Sequence, residues 1–303
     1  MTDMLLVTGA SGFLGRILVP ILRRDAQVIA GLRSGTADEN TRILGDLGAF
    51  PDLQTVLSGV DCVVHCAARA HVLHENSDDP LSVFMRVNCD ATLHLAKQAA
   101  QADVRRFIFL SSVGVHGNQT FGTPFRADDT PAPHAAYAVS KLAAEEGLTK
   151  IAHDTGLEVV IIRPPLIIGP QPVGNLRSLS NLIEKGLPLP FGLATGNRRS
   201  LVTAEVLADL IRICTDHPGA PGQPLLVADD APYSTRQIIE RLAALSGQRL
   251  RLVPVPVSVL RGALRALGRS DMAGQLFGDL EIDISATTAR LGWVPPSTHS
   301  SRV

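Results

Sequence analysis

The stretch Thr8-Gly9-Ala10-Ser11-Gly12-Phe13-Leu14-Gly15 spaces three glycines at intervals of three. The apolar run Leu5-Leu6-Val7 precedes it, and a helical pattern over 13–22 follows. A strand that turns into a helix this abruptly constrains the fold more than any other feature of the chain. Glycine lets the backbone turn tightly and come close to a pyrophosphate, and the helix start offers N–H donors and the positive end of its dipole. A glycine triplet alone is only a tight turn. Between a strand and a helix it predicts the first crossover of a parallel sheet and a dinucleotide site at its end. On this reading Gly9, Ser11, Gly12, Phe13, Leu14 and Gly15 surround the phosphates.

The pattern continues. Strand-like runs fall at 27–32, 41–44, 61–66, 106–110 and 159–163, with helical spacing over 81–102 and 138–152. Alternation of this kind predicts an α/β fold, a doubly wound parallel (Rossmann) sheet covered on both faces. Residues 1–165 form the expected NAD(P)-binding domain. After Pro164-Pro165, proline and glycine become frequent. Residues 166–303 therefore read as a smaller C-terminal substrate-binding lobe. Its helices are expected at 178–185, 204–215, 234–245 and 257–267, with some segments returning to the main sheet and a frayed polar tail over 297–303.

Charge and composition exclude several classes. The formal net charge is -1 and the pI about 6.8, so no basic nucleic-acid footprint is expected. No apolar run reaches the roughly 18 residues of a membrane span, and no basic-then-apolar leader opens the chain. Cys62 and Cys66 fall four apart in one apolar run and could share a face, but no second cluster completes a zinc site. We expect no metal, reduced thiols, a soluble cytoplasmic protein, and neither nucleic acid nor membrane as partner.

Where the second strand ends, an acidic residue would meet the ribose 2′-hydroxyl of NAD. The sequence reads Gly31-Leu32-Arg33-Ser34 instead. Arg33 offers a cation and a donor fork suited to a 2′-phosphate, which favours NADP and leaves NAD open.

Tyr137-Ala138-Val139-Ser140-Lys141 puts a phenol and an ammonium on one helix face. A tyrosine of ordinary pKa near 10 exchanges protons poorly at neutral pH, and a neighbouring ammonium is expected to lower that value. Ser112 closes the strand over 106–110, where open α/β sheets bind ligands. Each signal alone is an ordinary surface pair or loop hydroxyl. Their joint occurrence behind a glycine cradle points to proton transfer at a carbonyl or alcohol, with Ser112, Tyr137 and Lys141 as the catalytic set.

Together these residues resemble the extended short-chain dehydrogenase/reductase family. The matching pieces are Thr8 to Gly15, Gly45-Asp46-Leu47, His65-Cys66-Ala67-Ala68, Val87-Asn88, Ser111-Ser112, Tyr137 to Lys141 and Arg163-Pro164. The resemblance implies that Asp46 and Leu47 flank the adenine, and that Ala67 and Ala68 lie along the cofactor. It implies further that Asn88 supports the active-site helix, and that Tyr137, Lys141 and Pro164 meet the nicotinamide end. The stretches 163–170, 174–176, 187–192 and 197–202 resemble the nucleotide-sugar branch, nearest to bacterial UDP-sugar 4-epimerases and UDP-4-keto-6-deoxy-N-acetylhexosamine 4-reductases of surface-polysaccharide synthesis. Asn175 and Arg199 match positions that contact UDP there, and relatives often form homodimers through the helices over 81–102 and 138–152.

Three departures stand out. His116 occupies a place that is often tyrosine, Arg33 replaces the acid of NAD-preferring members, and the chain closes soon after Gly292-Trp293-Val294-Pro295-Pro296, where relatives usually carry one more helix. The expected reaction is reduction of a UDP-4-keto sugar at C4, with Ser112 also on the substrate. The alternative is UDP-glucose or UDP-N-acetylglucosamine 4-epimerisation by the same residues. A non-catalytic dinucleotide sensor ranks below both, since it would not need the tyrosine–lysine pair.

Overall fold

The computed structural model describes residues 3–70 and 79–297. Seven parallel strands form one sheet: β1 (Met4–Thr8), β2 (Gln27–Leu32), β3 (Thr41–Ile43), β4 (Cys62–His65), β5 (Arg106–Leu110), β6 (Glu158–Arg163) and, after an excursion, β9 (Leu225–Leu226). Their order across the sheet is β3-β2-β1-β4-β5-β6-β9, so strand order reverses beside β1. The strands are nearly all apolar because both faces are covered. Leu5 and Val7 join one apolar cluster and Leu6 the opposite one, following the two-residue period of a strand.

Among the described residues eleven α-helices accompany the strands: α1 (Phe13–Leu22), α2 (Gln54–Leu57), α3 (Pro80–Phe84), α4 (Ala91–Gln101), α5 (Ala136–Thr155), α6 (Gly174–Glu184), α7 (Ala204–Cys214), α8 (Thr235–Ser246), α9 (Val257–Ala266), α10 (Ser270–Phe277) and α11 (Ser285–Leu291). Helices α1 and α7 cover one face of the sheet and α4 and α5 the other. A two-stranded parallel pair, β7 (Leu166–Ile168) with β8 (Leu201–Thr203), stands apart from the main sheet. A third apolar cluster draws only on residues from Ile168 to Phe277, among them Leu176, Phe191, Ile239 and Phe277. Strand β9 and Trp293, whose indole donates to Asp209 Oδ2 at 2.8 Å, return the chain to the main body.

Two expected helices differ from those observed. The helical pattern over 81–102 divides into α3, a wide π turn over Met85–Asp90, and α4. The helix expected at Ser178 begins at Gly174, which puts Asn175 in its first turn. The short α10 and α11 carry too few apolar residues for periodicity to reveal them. The tail beyond Ser297 lies outside the described residues.

The glycine cradle is a packing requirement. Gly9 has φ +69°, and a methyl group there would sit 2.7 Å from the Ala67 nitrogen. At Gly15 it would sit 2.6 Å from the Ala10 Cα, so α1 approaches the turn only because no side chain intervenes. Gly15→Ala is expected to lower unfolding free energy by about 1–3 kcal/mol, the usual cost of overpacking rigid backbone. Urea denaturation of the variant beside the parent chain checks this.

Candidate active site

A cavity of about 300 Å³ opens over the carboxyl ends of β1, β2 and β4. Gly9, Ser11, Gly12, Arg33, Asp46, Leu47, Ala67 and Ala68 line it. Phe13, Leu14 and Gly15 sit just behind, in the first turn of α1. Arg33 is exposed at the rim, and no hydrogen bond or ion pair engages it among the described residues. Asp46 Oδ1 accepts from the Gly48 amide at 3.0 Å, which curls the loop along the wall. A narrow polar groove floored by glycine and alanine, with a free guanidinium at one end, fits a dinucleotide.

Thr8, His65 and Thr92 hold the floor. The Thr92 hydroxyl spends its proton on the Asn88 carbonyl at 2.8 Å, so it can only accept from His65 Nε2 at 2.9 Å. His65 Nδ1 is then an acceptor and takes the Thr8 hydroxyl proton at 2.7 Å. Thr8 Oγ in turn accepts the Ala67 amide at 3.4 Å. This order assigns a neutral imidazole by hydrogen-bond logic. Burial, aided by the Lys141 charge, pushes His65 down to about 3. Asn88 ties the adjoining loop to α5. Its amide meets the Arg69 backbone at 2.8 and 3.1 Å and Ser140 Oγ at 3.1 Å. It shapes the groove from behind, and its neighbour Val87 lines it.

Helix α5 carries Tyr137 and Lys141 to the end of β5. Lys141 Nζ donates to the Leu110 carbonyl at 2.8 Å, 4.4 Å above the Phe109 ring and 5.9 Å from the Tyr137 ring centre. Burial lowers its pKa to about 8, opposed by Cys66 and Glu145. Tyr137 packs edge-on to Phe84, and burial raises the phenol to about 12. The lowering expected from the ammonium is therefore outweighed here by desolvation, which keeps the phenol protonated. Ser112 Oγ accepts from the Gly114 amide at 3.1 Å, which leaves its own proton to donate. A methyl at Gly114 would meet Ser112 Oγ at 3.3 Å and Ala138 Cβ at 3.6 Å, so Ser112 lies against the first turn of α5.

Beneath these groups runs a sealed ion pair. Arg163 Nε reaches both Glu145 oxygens at 3.1 and 3.2 Å, and its Nη2 reaches Oε2 at 2.5 Å. Ser111 Oγ donates to the same carboxylate. Arg163 Nη1 donates to His116 Nε2 at 2.8 Å, so His116 is an acceptor on that side and its proton sits on Nδ1, which has no partner among the described residues. The imidazole stacks on Phe125 at 5.5 Å. Burial, then the Arg163 charge, push His116 down to about 4 against the pull of Asp129. Where tyrosine was the expectation, this chain places an acceptor for a buried arginine.

The other two sequence candidates lie further along. Asn175 Nδ2 donates to Gln275 Oε1 at 3.3 Å. Arg199 Nη1 donates to the Gly278 carbonyl at 3.0 Å, and burial lowers its pKa against the pull of Asp279. Gly278 and Asp279 also line a second cavity, of about 780 Å³, together with Asn197, Arg261 and Arg265. Neither arginine of this cavity stands out in the sequence, because both fall in an ordinary amphipathic helical pattern. Arg261 donates Nη2 to the Phe277 carbonyl at 2.7 Å, while its buried Nε has no partner among the described residues.

Residues 5–225 match the family described as NAD dependent epimerase/dehydratase. The chain belongs to this family. It is 41% identical over 303 residues to a UDP-glucose 4-epimerase of Vibrio cholerae, covering 98% of this chain and 92% of that one. A GDP-6-deoxy-D-mannose reductase of Pseudomonas aeruginosa is 29% identical over 280 residues, covering 88% and 87%. The fold also matches the UDP-glucuronic acid 4-epimerase of Bacillus cereus in complex with NAD, with TM-score 0.76 and 19% identity, covering 97% and 92%. The chain is thus an enzyme of the extended short-chain dehydrogenase/reductase type.

Both network histidines make stability depend on pH. Their folded pKa values, about 3 for His65 and about 4 for His116, lie below the ordinary 6.5, so the unfolded chain binds protons first on acidification. The histidine contribution is fully present above about pH 6.5 and is expected to fall from there toward pH 4, with a slope approaching about 1.4 kcal/mol per pH unit for each histidine. Urea midpoints between pH 8 and 4 check this, and His116→Gln should flatten the decline.

Proposed function

We propose that this protein interconverts the C4 epimers of a UDP-hexose, with UDP-glucose as the leading substrate. The observation that carries the proposal is the 41% identity to a UDP-glucose 4-epimerase across nearly the whole chain. Tyr137 and Lys141 on one face of α5, with the Lys141 ammonium 5.9 Å from the phenol ring centre, support it.

In this reading Tyr137 exchanges a proton with the oxygen on C4, Ser112 donates to the same oxygen, and the Lys141 ammonium holds the phenol and the ribose in place. A bound nicotinamide would supply hydride transfer to and from C4. Gly9, Ser11, Gly12, Asp46, Ala67 and Ala68 would hold the dinucleotide. Asn175 and Arg199 would meet the UDP portion, with the partnerless Arg261 Nε as a further donor for its diphosphate. Residues 166–303 are proposed as the main substrate-holding portion. Four cysteines, all free thiols, suit a reducing cytoplasm. A homodimer through α4 and α5 completes the reading.

The resident cofactor we assign is NAD, because epimerisation returns its hydride and needs no exchange. Arg33 leaves room for NADP as well. Arg33→Asp is expected to weaken NADP binding about tenfold or more, the worth of one charge-assisted contact, with NAD affinity held or raised because the acid can accept from the ribose 2′-hydroxyl. Titration of both dinucleotides checks it.

Reduction of a UDP-4-keto-6-deoxy sugar is the second reading, favoured by the rim position of Arg33 and the reductase relative. A redox balance separates the two. Incubated with UDP-glucose, the chain is expected to form UDP-galactose with no net change in nicotinamide absorbance. Tyr137→Phe should lower that turnover about 100- to 10,000-fold while retaining the dinucleotide. Stoichiometric loss of NADPH with a 4-keto sugar, and no epimer formation, would replace the epimerase by the reductase.

A further inference from the structure

Residues 241–270 contain six arginines and no aspartate, glutamate or lysine, in a chain whose formal net charge is -1. Most of this segment is on the surface. Helix α9 has no buried residue at all. Its inner side, Val257, Leu260 and Leu264, is half-buried against the third apolar cluster. Its outer side is apolar as well. Val259, Ala263, Ala266 and Leu267 follow one another at helical spacing, and Val259 and Leu267 are 57% and 72% exposed. Arg265 and Arg269 flank this stripe, exposed, and their guanidinium groups have no hydrogen bond or ion pair among the described residues.

The stripe adjoins the 780 Å³ cavity, since Val257, Arg261 and Arg265 belong to its wall. Two further apolar side chains stand on the same wall, Phe121 at 87% exposure and Leu193 at 48%. Asp279 is the acid of that wall, and it is engaged by the Arg198 amide at 2.7 Å. Asp271, in the first turn of α10, is the next acid along the chain. Arginine without counter-charge, beside leucine, valine and phenylalanine without cover, calls for a partner that is anionic and apolar together.

We propose that this face docks on an anionic phospholipid surface, with α9 lying in the headgroup layer and the large cavity beside it. Lipid headgroups meet the arginines, and the acyl boundary takes Val259 and Leu267 out of water. A second copy of the chain fits poorly, because a two-fold contact would set arginine against arginine. Nucleic acid would answer the charges but leave the apolar stripe wet, and of the two rings on this wall Phe277 is buried, which leaves Phe121 alone where stacking needs several. No helix of the described residues is long and apolar enough to cross a membrane, so the contact is peripheral. The inference does not depend on the epimerase reading.

The test is co-sedimentation of the full chain with vesicles of phosphatidylcholine alone and with about 30 mol per cent phosphatidylglycerol, whose negative surface potential attracts basic segments. Binding to the anionic vesicles is expected, reduced by salt, with about tenfold or greater loss in the double variant Leu267→Asp, Arg269→Glu. Neither residue belongs to the walls of the two cavities, so melting temperature and turnover of a UDP-sugar in solution should match the parent. Equal binding to both vesicle types, no binding, or a variant that sediments like the parent overturns the proposal. So does tighter binding to a single-stranded oligonucleotide, or a dimer that Leu267→Asp abolishes.

Discussion

An ion pair removed from water holds together only when each of its polar atoms has a partner, and Glu145–Arg163 meets that condition from four directions. Helix α5 supplies the carboxylate, β6 the guanidinium, the end of β5 the Ser111 hydroxyl, and the following turn the His116 imidazole. The proposed reacting groups are chain neighbours of these partners. Ser112 follows Ser111, Lys141 is one helical turn before Glu145, and Pro164 follows Arg163. The pair therefore sets the distance between helix and strand ends on which the site depends. Losing one partner of such a pair costs about 3–5 kcal/mol, because the other charge is stranded. It also explains why the imidazole at 116 stays neutral, since a second proton would face the Arg163 charge.

The groove rests on a different kind of constraint, proton order. Thr8, His65 and Thr92 each have one way to point once the Thr92 hydroxyl is committed to a helix carbonyl. Reversing one member would face two donors or two acceptors. The result joins the ends of β1 and β4 to α4 without any charge, and it leaves the Ala67 amide drawn onto Thr8. The close passage of Gly9 by Ala67 is possible because that contact and the absent side chain act at the same place.

Much of this was legible in the sequence, and the residues show why. The doubly wound sheet followed from apolar runs interrupted by helical spacing, a local pattern that local physics reads well. The glycine cradle and the Tyr137–Lys141 face were legible for the same reason, since their spacing is their geometry. Proton order was not, because the roles of His65 and His116 depend on hydroxyls and guanidinium groups dozens of residues away. The lowered phenol pKa failed as an expectation because spacing reveals a neighbouring ammonium but not the loss of water around both groups. Arg199 stood out only through the resemblance, and its tie to the Gly278 carbonyl needed the fold. The basic, uncovered α9 escaped notice because periodicity identifies an amphipathic helix without saying which of its faces turns inward.

The π turn over Met85–Asp90 has a wider meaning for this architecture. A π turn accommodates an extra residue, so the helix on either side runs about 100° out of phase with an unbroken α-helix. Upstream of it Phe84 packs on Tyr137, within it Val87 and Asn88 serve the groove, and downstream Thr92 closes the hydroxyl chain. Shortening the chain by one residue there would yield a more regular helix, and it would rotate Thr92 and Leu95 off the sheet. The turn is a mechanical phase adjuster: a less regular rod lets one helix address two surfaces that do not share a common line.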